Sequence, residues 1–403
     1  MGRISKPLLL TLCLGAAWLA GAYIVGAQTS VESEPLAGPA ELVQQLADPR
    51  FVVRKRAMER LVEQGVAAAA ALEEGVQSND REVSFRSRHA LSIIREHDFQ
   101  RRLRVFAAGQ DAQETYELPG WALFRKEVGD GLEARRLFVE MQQAEPELLQ
   151  ALERSPDKAV ELLVERLDEI QEEARTEHKQ HAVSLGTVAA LLFISNQDHG
   201  ESMGLAVQNL TAFYRHDVFA AAIESGPERE VLRKMLGTWI ENSRSWDRFH
   251  AMLLAMQFDL PEGLAPAKRM LADLSEGLAP AKQTAAENSL DPNQAVYRGF
   301  ALQTIARFGD ESHIPIVEPL LDDVSPYGGN SSISTKARYQ TQIRDIALAT
   351  LVHLAKQDPK KFGLTRLKPS STQVFNTSSL AFEDDAKRDE AIKKWRAFRA
   401  EQH

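Results

Sequence analysis

A chain of 403 residues with 44% hydrophobic and 26% charged side chains is long enough for two or three domains, or for one repeat array, and apolar enough to bury a core. Its formal net charge of −9 gives no basic footprint for a phosphate backbone, which argues against nucleic acid as a partner. Aromatics make up only 7%, and the long stretches are rich in Ala, Leu, Glu, Arg and Gln, so composition points to an all-α fold.

The first 27 residues read as an export signal. Arg3 and Lys6 precede the uncharged run Leu8–Gly26, and Val25-Gly26-Ala27 places small residues before Gln28. Two outcomes follow: cleavage gives a periplasmic or secreted protein, whereas retention leaves residues 8–27 as an inner-membrane anchor. That segment is the one expected route to a membrane. The single Cys13 lies within it, behind Leu12, where a lipoprotein signal has a small residue. Cleavage would therefore leave no cysteine for disulfides, thiol chemistry or zinc. Residues 28–37 read as a linker.

From residue 38 to 105 a helical spacing appears that returns near the other end of the chain. An apolar residue is followed by Arg, three positions on by Ala, and four further on by a large apolar residue: Val53-Arg54-x-x-Ala57-x-x-x-Leu61. The copies within 291–363 are Tyr297-Arg298-x-x-Ala301-x-x-x-Ile305 and Ile343-Arg344-x-x-Ala347-x-x-x-Leu351. Phe85-Arg86-x-x-His89-x-x-x-Ile93 is a fourth, with His in place of the small residue. These offsets put the apolar residues and the Ala near one helix face, where a small residue lets a neighbouring helix approach. Gln303, off that face, is expected to be exposed. Asp48 and Asp80 stand six residues before their arginines; Asp48 is expected as an N-cap with Pro49 opening the helix. Leu42, Val43 and Leu46 mark a short partner helix.

The pattern carried by Asp48, Val53, Arg54, Ala57 and Leu61 and their counterparts resembles the HEAT repeat of armadillo-type α-solenoids. The resemblance implies HEAT-type solenoid ends flanking a non-repeat helical middle, with Asp48, Arg54 and Arg86 pairing structurally in an Asp–Arg ladder. The Trp121 region, the string Gln342–Pro359 and the C-terminal tail are together similar to exported bacterial HEAT-repeat proteins of unassigned role. A Gly/Ser/Asn-rich insert, 324–337, separates Asp323 from Arg344 and reads as a loop.

The middle, 106–290, stays helical without the period. Leu118-Pro119-Gly120-Trp121 is a turn, and Leu162, Leu163 and Leu167 recur at helical spacing. Residues 105–180 hold 18 Asp/Glu against 9 Lys/Arg, a balance of −9. On a helix from Ala159, the residues Glu161, Glu165, Asp168 and Glu172 share a stripe away from those leucines. This stripe is the candidate face for a protein partner. Residues 364–403 read as a linker and a capping helix, Asp384–Arg399, with Ala391, Ile392, Trp395 and Phe398 on one side.

Chemistry has two leads. Gly200-Glu201-Ser202-Met203-Gly204 fits a nucleophile elbow if Val188–Ile194 is a strand, with His250, His313 or His353 as base. His178 and His181 beside Glu177 could share a metal from one helix face. No Walker A, HExxH or dinucleotide fingerprint occurs, and the absence of any His-Glu dipeptide removes the di-iron hydroxylases built on HEAT-like repeats. The expectation is a non-enzymatic interaction scaffold with no cofactor, the alternative a hydrolase or metal-dependent enzyme using the central region.

Overall fold

The computed structural model describes residues 37–109, 118–176, 183–197, 214, 217–244, 247–276, 292–327 and 340–402. The fold is all-α, as composition indicates: among the described residues there is no strand, only the isolated bridges Pro326–Gln342 and Pro369–Phe375. The chain divides into two compact units, residues 1–100 and 101–403.

In the first unit, α1 (Pro39–Gln45) is followed by α2 (Phe51–Gln64), α3 (Ala69–Val76) and α4 (Arg81–Ala107). Pro39 opens α1, where its missing N–H removes no helical bond. Gly65, at φ +59°, ends α2 in a conformation that side chains resist. Leu42, Val43 and Leu46 pack with Ala57, Leu61, Ala68 and Leu72 in one core, completed by Val83, Ala90, Leu91 and Ile94 from α4. α1 lies against both α2 and α3.

Two local expectations change here. The N-cap of α2 is Arg50; Asp48 lies two residues earlier, where its carboxylate accepts the Arg50 N–H at 2.8 Å and pairs with the guanidinium. The fourth copy is off register by one. Phe85 is 67% exposed and His89 faces out, while Val83, Ser87, Ala90, Leu91 and Ile94 are buried. The small residue at the crossing is Ser87, which lies where a Cβ on Gly75 would have to go.

The second unit continues with α5 (Trp121–Val128), α6 (Leu132–Ala144), α7 (Pro146–Arg154), α8 (Pro156–Thr176), α9 (Leu185–Asn196), α10 (Asp217–Ser225), α11 (Arg229–Glu241), α12 (Arg248–Phe258) and α13 (Leu264–Glu276). α9 is its hub: every residue from Gly186 to Ser195 is buried, and α6, α7, α8, α10 and α11 all pack on it. A helix apolar all round must be enclosed in this way. Gly186 has no room for a Cβ against the Glu140 backbone, which fixes the close crossing of α6 and α9. Phe106, Trp121, Phe124, Phe138 and Phe193 form a ring cluster with centroids 4.7–6.2 Å apart. The Leu118–Gly120 turn is held at both ends: Gln142 Nε2 donates to the Pro119 carbonyl at 2.7 Å, and the Gly120 N–H to Glu153 at 2.8 Å.

Further on come α14 (Pro292–Phe308), α15 (Ile314–Val317), α16 (Ile343–Leu354) and α17 (Asp385–Ala400). Ala301, Ile305, Ile343, Ala347 and Leu351 are all fully buried in one core with α17's Ala391, Ile392 and Trp395. Asp384 caps α17 by accepting the Lys387 N–H. Gln303 is fully buried rather than exposed. Its amide donates to the Phe375 carbonyl at 3.0 Å and accepts the Phe375 N–H at 3.1 Å, so a polar side chain takes the place of a strand partner.

Candidate functional site

The repeat arginines occupy three different environments. Arg54 donates from Nη1 to the carbonyls of Asp48 and Pro49, at 2.7 and 2.9 Å, instead of pairing with the Asp48 carboxylate. Arg86 pairs with Glu82 one turn back on its own helix. Asp80 is occupied by the N–H groups of Glu82 and Val83, so it caps α4. The first unit therefore has no Asp–Arg rung between Asp48 or Asp80 and its motif arginine.

At the other end such a rung does form. Arg298, 2% exposed, meets Asp323 at 2.7 Å, and the Ser325 N–H donates to the other oxygen of that carboxylate at 2.9 Å. The Asp323 carbonyl accepts the N–H of Arg344 at 3.0 Å, which ties the rung to the next copy. Arg344 then reaches Asp385 and Asp389 of α17 at 2.9 and 3.2 Å. α17 answers with Arg388, which binds the fully buried Asp345 at 2.6 and 3.1 Å. Burial pushes the Asp345 carboxyl up, and the Arg388 guanidinium opposes the shift. The loop insert begins with Val324, 60% exposed, and Tyr327, whose N–H donates to Thr341. Residues 328–337 of the insert lie outside the described residues.

On α8, Glu161, Glu165, Asp168 and Glu172 are exposed and Leu163 and Leu167 buried, so the acidic stripe faces away from the core. Lys158 pairs with Glu161 at 2.9 Å, while Arg166 is drawn to Glu145 and Glu169. Glu165 and Asp168 thus keep a local excess of negative charge.

The strand required by the nucleophile elbow is absent, because Val188–Ile194 is the buried core of α9. Ser202 lies outside the described residues, as do Glu177, His178 and His181. His250 lies on α12 beside Phe249; His313 closes a 3₁₀ turn, 3.0 Å from Asp310; His353 lies on α16, edge-on to Phe375, with burial holding its pKa down. Among the described residues, no three His, Cys, Asp or Glu side chains are grouped to hold a metal. No helix among them is long and apolar enough to cross a membrane.

Three carboxyls of the central region carry a signal that sequence alone does not show. Glu127, Glu145 and Asp247 are all pushed up, in each case mainly by burial, with Glu127 reaching about 7 and Asp247 about 6. Glu127 ends α5 and accepts from Asn196 Nδ2 at 2.5 Å and Gln197 Nε2 at 3.3 Å at the end of α9. Partners 69 and 70 residues apart leave no local pattern to read. No protein-family model, curated protein or solved structure matches the chain.

Proposed function

We propose that the chain is an exported, non-enzymatic protein-binding scaffold whose two ends are stacked HEAT-type helical hairpins. The observation that carries this reading is the run Arg298–Asp323–Arg344–Asp385. It links successive copies of the spacing through a buried ion pair and ends on a helix that covers the last one. The packing of α1 on both α2 and α3 is the arrangement expected of two adjacent hairpins, each unable to bury its apolar face alone. Residues 1–27 direct export, and are either removed before Gln28 or retained as an anchor.

Such scaffolds act through surfaces, and the surface proposed here is the acidic face of α8, with a basic protein as its partner. Two charges tolerated in proximity, at Glu165 and Asp168, gain most when an external cation neutralises them. The test is capture of partners from the native cell-envelope fraction by the full chain and by the variant Glu165→Lys, Asp168→Lys, Glu172→Lys. Capture should weaken as salt shortens the Debye length below about 8–10 Å. It should disappear in the variant while the melting temperature is nearly unchanged. A partner that survives both charge reversal and high salt removes α8 from the binding surface.

A further inference from the structure

The junction of α5, α9 and α11 contains an unbalanced set of hydrogen-bonding groups. Glu127 is mostly buried where α5 ends. Asn196 donates from Nδ2 both to its carboxyl, at 2.5 Å, and to the Met235 carbonyl of α11, at 3.1 Å, which fixes the orientation of the amide. The oxygen of that same amide, Asn196 Oδ1, is buried and has no hydrogen-bond partner among the described residues. A buried acceptor left in that state is unfavourable, because it has given up its bond to water and gained none in return. What is missing is a donor, and an ionised carboxylate has none to give.

We propose that Glu127 is a proton-operated latch. With its carboxyl protonated, the hydroxyl donates to Asn196 Oδ1 while the carbonyl oxygen accepts from Nδ2, and this paired acid–amide contact clamps α5 to α9 and α11. Loss of the proton removes the donor, leaves Oδ1 orphaned and loosens α5.

The surroundings favour the neutral form. Among the described residues, the end of α9 offers no charge to the carboxyl, its partners there being the amides of Asn196 and the following Gln197. The charge opposing protonation is Lys234 of α11. The cleft beside Val128 is lined further by Arg233 and Glu230 of α11 and by Glu262 of the 3₁₀ turn after α12. Arg233 is committed to the carbonyls of Phe258 and Asp259, at 2.7 and 2.8 Å. Burial outweighs the N–H groups donated by Asn196 and Gln197 as well as the charge of Lys234, and the carboxyl is pushed up to about 7 from its ordinary value of 4.5. A folded pKa above the unfolded one means the folded state binds the extra proton, so stability is gained as pH falls through 7 and lost as it rises. With those two values, lowering the pH from 8 to 6 should favour the closed junction about tenfold.

The experiment is hydrogen exchange of α5 amides in the full chain between pH 5.5 and 8.5, corrected for intrinsic exchange, beside Glu127→Gln. Glutamine places an N–H donor and a carbonyl toward Asn196 where the protonated acid has them, and loses the long 3.3 Å acceptance from Gln197 Nε2. In the wild type, protection of Phe124–Val128 should fall about tenfold from pH 6 to pH 8. Glu127→Gln should hold the acid-side protection throughout. A flat wild-type profile, or a variant that keeps the pH dependence, overturns the latch. Should Glu127→Gln fail to fold, the ¹³C titration of the wild-type Glu127 carboxyl decides: a midpoint near 7 supports the latch, and one below 5 overturns it.

Discussion

Replacing Arg298 by Met removes one side of a nearly buried ion pair. Arg298 and Asp323 side chains are 2% and 8% exposed, 2.7 Å apart. With the guanidinium gone, the Asp323 carboxylate keeps the Ser325 N–H but has no counter-charge. Breaking a buried pair from one side typically costs about 3–5 kcal/mol, because the remaining charge is stranded rather than because the pair itself is strong. Arg298→Met and Asp323→Leu should each lower stability by about that amount in urea unfolding at pH 7, and the double variant should recover much of the loss. Arg396→Met is the control: its pair with Asp322 is 57% and 76% exposed, so its removal should be barely measurable. If Arg298→Met behaves like Arg396→Met, or if the two single losses simply add, the buried rung does not hold the copies together.

Ala301→Leu should overpack a fully buried crossing and destabilise by about 1–3 kcal/mol. Gln303→Lys should be worse still in the same melts, since it strips both bonds from the Phe375 peptide and buries a charge. Asp247→Asn should raise the melting temperature at pH 8 and change little at pH 4: burial pushes its carboxyl from 3.8 to about 6, so the ionised form strains the fold only as pH rises through that range. N-terminal sequencing should find Gln28 at the start of the mature protein, or the intact chain in a membrane fraction; full-length protein soluble in the cytosol would contradict both.

Legibility followed the reach of each interaction. The buried faces of Ala57 with Leu61, Ala301 with Ile305 and Ala347 with Leu351 could be read because helical period alone sets them. The Asp384 cap was equally local. The fourth copy misled because Phe85 is apolar yet exposed, while the true face uses Ser87 and Ala90. Gln303 misled in the opposite sense, a polar residue buried because a distant backbone segment satisfies it. Arg298 finds its carboxylate 25 residues away and Glu127 its amide 69 away, and no spacing rule spans such distances. The acidic stripe on α8 was legible as geometry, since exposure follows from the buried leucines opposite.

If the chain works as proposed, by holding another protein against α8, that protein lies within reach of Asp168. A photo-crosslinking residue at position 168, in the full chain in its native cells, probes this, with the same residue at exposed Glu311 as control. One discrete protein adduct is expected from position 168, lost when Glu165 and Glu172 are changed to Lys, and none from position 311. Adducts from position 311 alone, or no protein adduct from position 168, would contradict the proposal.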